Sequence, residues 1–249
     1  MNRIRQERIK EYIENRSVAT IKELQELIPD VSLMTIHRDL DALEKQGVIA
    51  KYRGGVKSIH HPDDVEFNVR MRENNKGKQL MAQKALKLLQ PHSSVFLDAS
   101  TTNLFLARSM PDISLNVVTT GPGVALELCR LHNPVVTVCC GIMSRKNLAI
   151  SGQNTLDMLE KINIDTAFIG VSGCSADMGF TCGTESDMLI KRMIIKKARC
   201  SVMMCSGEKL KRLMPYTFAT LADVDYIISD EELPEEFADA ARTEGVILL

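Results

Sequence analysis

The segment Val31-Ser32-Leu33-Met34-Thr35-Ile36-His37-Arg38-Asp39-Leu40, followed by Arg53-Gly54-Gly55-Val56, most narrows what this chain can fold into. Ser32 suits a helix start, because its hydroxyl accepts from the first unpaired backbone N–H groups. Ile36, Leu40 and Leu43 then recur at i, i+4 and i+7, which lays one apolar stripe against a core. The opposite face carries Met34, Thr35, His37 and Arg38, which with Ser32 cluster near the helix N-terminus. A recognition helix presents such groups to base edges in the major groove.

The flanking segments complete a known type of unit. Ile4, Ile9 and Ile13 predict a first helix that starts almost at Met1. Thr20 opens a second helix with Leu24, Leu27 and Ile28 on its apolar face, and Pro29-Asp30 ends it. Gly47 closes the third helix, Val48 to Tyr52 starts a strand, and Gly54-Gly55 signals a hairpin. That hairpin carries Lys51, Arg53 and Lys57 with no acid between them, which suits phosphate contacts. The reading is a winged helix-turn-helix over residues 1–57, with Ser32, Met34, Thr35, His37, Arg38, Lys51, Arg53, Gly54 and Lys57 facing double-stranded DNA. A protein-interaction module is the competing reading of the same helices. The chain holds 31 Lys and Arg against 32 Asp and Glu, so DNA binding must rest on a local stripe and on dimerisation instead of a global positive field.

Length, 249 residues, suits this small domain plus a larger one over residues 78–249, joined by a charged linker over 58–77. No apolar run approaches a membrane span, and the N-terminus is charged where a signal peptide is apolar, so a cytoplasmic protein without membrane contact is expected. The cysteines, 129, 139, 140, 174, 182, 200 and 205, are scattered without a C-x-x-C and read as buried structural thiols. His60-His61-Pro62-Asp63-Asp64 has ligand-type side chains but reads as a polar linker; no metal or cofactor is expected.

Beyond Ser94 short apolar runs alternate with helical patterns: Val95 to Asp98, Leu115 to Thr119, Val135 to Cys139, Thr166 to Val171, Ser201 to Cys205, Tyr226 to Ile228 and Val246 to Leu249. Such alternation predicts an α/β domain with a mainly parallel, Rossmann-like sheet covered on both faces. Ligands of these sheets sit at strand carboxyl ends beside helix N-termini. The residues so placed are Asp98, Ser100, Thr101 and Thr102, then Thr119, Thr120 and Gly121, then Gly141. Hydroxyls and N–H groups there suit a phosphate, and Asp98 suits sugar hydroxyls. Glu185, Asp187 and Lys209 are further candidates to line the pocket. Each is also readable as an ordinary cap or surface residue. No catalytic set stands out, since Ser100 has no evident histidine partner.

Taken together, the chain resembles the DeoR family of bacterial transcription regulators over nearly its full length. Its N-terminal signature is Val31-Ser32, Thr35-Ile36, Arg38-Asp39-Leu40, Leu43-Glu44, Gly47 and Gly54-Gly55. Its second-half marks are Asp98 to Thr102, Thr119, Gly141, Gly152, Asp165 to Gly170, Gly173, Gly179-Phe180-Thr181, Lys191-Arg192 and Ser229-Asp230. The resemblance implies an effector domain related to sugar-phosphate isomerases and CoA transferases, a phosphorylated sugar or related metabolite as effector, and a homo-oligomer, dimer or tetramer. It also implies a sequence-specific regulator, usually a repressor of a sugar-uptake or catabolic operon. An isomerase or acyl-transferase-like enzyme with an added DNA-binding domain is the alternative. This chain departs from the family at His37, Thr120-Gly121, Cys140 and Cys205-Ser206-Gly207-Glu208-Lys209, mostly in the expected pocket.

Overall fold

A computed structural model describes residues 2–16, 18–45, 49–52, 54–58, 67–210 and 212–249. The chain divides into two compact units, 1–63 with 211–214, and 64–210 with 215–249.

The first unit runs α1 (Asn2–Arg16), β1 (Val18–Thr20), α2 (Ile21–Leu27), α3 (Leu33–Lys45), β2 (Ile49–Tyr52) and β3 (Gly55–Ser58). Thr20 starts α2 through a reciprocal cap: its Oγ1 accepts from Glu23 N at 3.2 Å, and the Glu23 carboxylate accepts from Thr20 N at 2.7 Å. Ile36, Leu40 and Leu43 of α3 are buried with Ile9, Ile13 and Leu24. Ile4, expected on the same stripe, is 78% exposed. Five residues separate it from Ile9, which turns it well off the face shared by Ile9 and Ile13.

The sheet order is β1-β3-β2; strand β1 was not visible in the sequence pattern. Tyr52 pairs with Gly55, so the turn expected at Gly54-Gly55 ends before Gly55. Gly54 holds φ +101°, a left-handed value that favours glycine. Gly55 already lies in the strand, where a Cβ would stand 2.5 Å from the Ala19 carbonyl oxygen. It is the close approach of β1 that demands glycine there. Gly47 and the His60–Asp64 cluster lie outside the described residues.

The second unit opens with α4 (Phe67–Arg70) and α5 (Asn75–Leu86), so helices occupy the later part of the segment expected as linker. Then follow β4 (Ser94–Leu97), α6 (Thr101–Ser109), β5 (Asn116–Thr119), α7 (Pro122–Leu128) and β6 (Val135–Val138). A small hairpin, β7 (Ile142–Met143) and β8 (Ile150–Ser151), leads to α8 (Gln153–Glu160) and β9 (Thr166–Gly170). The remainder is β10 (Gly173–Ser175), β11 (Gly179–Cys182), α9 (Glu185–Lys197), β12 (Cys200–Met204), β13 (Tyr216–Ala219), β14 (Tyr226–Ile228), α10 (Glu235–Thr243) and β15 (Ile247–Leu248).

Seven strands form one parallel sheet in the order β15-β14-β12-β9-β4-β5-β6. Alternation along each strand feeds two cores. Val95, Leu97, Val117 and Phe168 pack with Met81 and Ala85 of α5, Leu106 of α6 and Leu128 of α7. Phe96, Val118, Ala167 and Ile169 pack with Leu159 of α8, Ile190 and Ile194 of α9 and Phe237 of α10. Helices therefore cover both faces, as the apolar strand runs require. The order reverses between β4 and β9: from β4 the chain builds outward through β5 and β6, then returns to β9 and builds the other way. That is the topological switch point of a doubly wound sheet, where the carboxyl ends of two strands leave a crevice.

Outside this sheet, β10, β11 and β13 form an antiparallel sheet. The acidic stretch from Asp230 to Asp239 becomes α10 only from Glu235, and that helix buries Phe237, Ala238 and Ala241. Not every cysteine is a buried thiol: Cys129 and Cys140 are exposed, Cys200 is half-buried, and the other four are buried.

Candidate functional sites: a recognition helix and a switch-point cleft

Ser32 caps α3 by accepting from Thr35 N at 3.3 Å, and its hydroxyl lies 3.0 Å from Thr35 Oγ1. With the Ile36 row buried, Ser32, Met34 and Arg38 are exposed, and Thr35 and His37 are half-buried. Leu33 and Met34 are 42% and 67% exposed, two large apolar side chains in solvent on the first turn of α3. Such groups suit thymine methyls better than water. Asp39 is buried and accepts from Arg5 Nε at 2.5 Å and from Gln6 Nε2 at 3.0 Å, which ties α1 to α3 and fixes the face that α3 presents.

The hairpin is less simple than its sequence. Lys51 Nζ pairs with Asp41 and lies 3.7 Å from Glu44 Oε2, while Lys51 N donates to Glu44 Oε1 at 2.9 Å. The ammonium holds the Asp41 carboxyl below its usual range. Acids on α3, seven and ten residues before it, thus neutralise a lysine expected to meet phosphate. Gly54 is exposed at the hairpin tip. Arg53 and the Lys57 side chain lie outside the described residues.

In the second unit, a cleft opens at the switch point. Asp98, Ala99 and Ser100 follow β4, and Gly170, Val171 and Ser172 close β9. Asp187 and Lys191 of α9, Arg70 of α4, and Asn147 and Ala149 of the β7–β8 loop complete the walls. Asp98 is 3% exposed and organises the strand ends. Its Oδ1 accepts from Ser100 N at 2.9 Å and Asn103 Nδ2 at 2.8 Å, and its Oδ2 accepts from Gly170 N at 2.8 Å. Ser100 caps α6 by accepting from Asn103 N at 3.2 Å. Gly170 is required there, because a Cβ would sit 2.3 Å from Ser100 Cβ.

Lys191 is the buried cation of the cleft. Its Nζ donates to Gly170 O at 2.8 Å, pairs with Asp187 Oδ2 at 2.9 Å and lies 3.6 Å from Asp98 Oδ2. The ammonium also stands 5.0 Å from the centre of the Phe218 ring. Burial alone would push it towards the neutral amine, but the Asp187 and Asp98 carboxylates outweigh burial and hold its pKa above the ordinary lysine value.

Of the residues expected to line an effector pocket, Asp98, Ser100 and Asp187 line this cleft and the others lie elsewhere. Thr101 and Thr102 are buried in the first turn of α6. Thr119 is buried and accepts from Gly121 N at 2.9 Å; Thr120 is buried beside it. Gly121 packs on Ala99, where a Cβ would come within 2.9 Å of Ala99 Cα. Gly141 holds φ +152°, and a Cβ there would be 2.4 Å from Ser151 O and Thr155 Oγ1. Glu185 is exposed on the first turn of α9, and Lys209 pairs with Glu208 at 3.0 Å. The strand-end rule therefore picks out residues that shape the crevice as well as residues that face it. Arg70, Asn147 and Ser172 were not singled out, since the loops that bring them in leave no periodic signal. The Asp187–Lys191 spacing of four was legible as a helical ion pair; its burial was not.

Comparison with known proteins agrees with both halves. The family model described as a DeoR-like helix-turn-helix domain matches residues 5–61, and that described as the DeoR C terminal sensor domain matches residues 73–231. The uncharacterized HTH-type transcriptional regulator YgbI of Escherichia coli is 32% identical, covering 98% of this chain and 96% of its own. The HTH-type transcriptional repressor GlcR of Bacillus subtilis is 27% identical, covering 97% and 93%. The L-fucose operon activator of Escherichia coli is 28% identical, covering 93% and 96%. This chain belongs to the DeoR family of DNA-binding transcriptional regulators, with an N-terminal helix-turn-helix and a C-terminal sensor domain.

Proposed function

We propose that the protein is a repressor of a carbohydrate operon and that a phosphorylated sugar or related metabolite in the switch-point cleft sets its affinity for operator DNA. The observation that carries the effector half is the position of the cleft: Asp98, Ser100, Gly170 and Lys191 converge where the sheet order reverses. Ligands of doubly wound sheets bind at that crevice. The carbohydrate assignment draws support from the relative named for the L-fucose operon, and the repressor assignment from GlcR. In this reading α3 enters the major groove through Met34, Thr35, His37 and Arg38. A homo-oligomer presents two such helices to paired half-sites, with centres about 34 Å apart when they lie one turn apart.

Deleting the gene and profiling transcripts tests the sign of regulation. Repression predicts that a carbohydrate operon rises in the deletion strain and returns to baseline on complementation. A fall in that transcript would make the protein an activator.

A further inference from the structure

The cleft contains a charge problem whose solution names a further binding residue; the inference rests on reading the cleft as the effector site. Lys191 faces two carboxylates, Asp98 and Asp187, so this triad sums to one negative charge. The ammonium donates to Gly170 O, pairs with Asp187 Oδ2 at 2.9 Å and lies 3.6 Å from Asp98 Oδ2, so it is already engaged. An anion brought against the triad alone meets net repulsion and a lysine already engaged. Ser100, Ser172 and Asn147 add hydrogen-bonding groups but no charge. Among the described residues lining the cleft, the other cation is Arg70 of α4, which from sequence was one charge in an expected linker.

We propose that Arg70 is a direct ligand-binding residue that takes the anionic group of the effector. Its guanidinium carries five N–H donors in a planar fork, so it can keep an intramolecular partner and still present a parallel pair to a phosphate. Its backbone is held in place: Phe67 N donates to Lys146 O at 2.9 Å, and the buried Lys78 donates through Nζ to Arg70 O. Phe67 and Met71 pack on the core beneath α5 and α6. The ring of Phe67 also lies 5.9 Å from the Arg70 guanidinium carbon, which steadies the side chain. A four-residue helix is thereby a defined platform.

Isothermal titration calorimetry of the full chain tests the assignment, with inorganic phosphate, ribose 5-phosphate and glucose 6-phosphate as probes. For a probe that the wild type binds, Arg70→Gln should weaken binding about tenfold or more, the loss expected for a charge-assisted hydrogen-bond pair. Arg70→Lys should fall between, because it keeps the charge and loses the fork. Equal affinities in wild type and Arg70→Gln would overturn the Arg70 assignment and leave the cleft reading intact. A wild type that binds no probe would overturn the phosphosugar reading, and the assignment would fall with it.

Discussion

Removing the Lys191 ammonium would leave the buried Asp98 and the part-buried Asp187 without their shared counter-charge. Breaking one partner of a buried ion pair costs about 3–5 kcal/mol, because the remaining charge has lost both its solvent and its counter-charge. Lys191→Met should therefore lower the unfolding free energy of the sensor unit, read from a urea titration, by that order, and a variant within about 1 kcal/mol of wild type would show that the triad is well solvated. The same cluster sets an alkaline limit. The folded protein holds the Lys191 proton more tightly than an unfolded lysine with its value of 10.5. Its stabilisation is thus complete below that pH and fades as pH rises through the higher folded value. Sequence exposed the i, i+4 relation of Asp187 and Lys191 but not their burial, since burial depends on Asp98 and Gly170, which arrive from distant strands.

Among the elements, α3 was the most legible, because its apolar row and its cap both follow local rules that need no tertiary information. The hairpin was legible as a hairpin, yet the partners of Lys51 were not: Asp41 and Glu44 sit on α3, and only folding brings them to the strand. This contrast has a measurable outcome. Arg38→Ala should weaken operator binding by about 1–3 kcal/mol, the range for a base-reading arginine, and fluorescence anisotropy at fixed salt would show it. Lys51→Ala should change affinity much less, because its charge is largely matched within the unit. Equal losses at both positions would mean that Lys51 leaves Asp41 to meet phosphate. Strands β10, β11 and β13 were the least legible elements. Gly179 to Cys182 is buried at every position and so lacks the alternation of a half-exposed strand, and its partner β13 lies more than thirty residues along the chain.

At the scale of the whole molecule, the sequence revealed two domains of different kind, and the parallel sheet followed from its apolar runs. What it did not reveal was the strand order. Seven similar runs leave the return point open, and only the pairing of β4 with β9 places the crevice at Asp98 and Gly170. The central claim joins the two units: occupancy of that crevice changes how tightly α3 holds DNA. A ligand can do this only through different affinities for the DNA-bound and DNA-free states. The most direct test is fluorescence anisotropy of the full-length protein on the DNA upstream of its own gene, at fixed salt, with and without a panel of sugar phosphates. The account predicts tight, sequence-selective binding that one phosphosugar weakens in a saturable way. Selective binding that no panel member alters would contradict the link between crevice and DNA, and the absence of selective binding would contradict the account at its root.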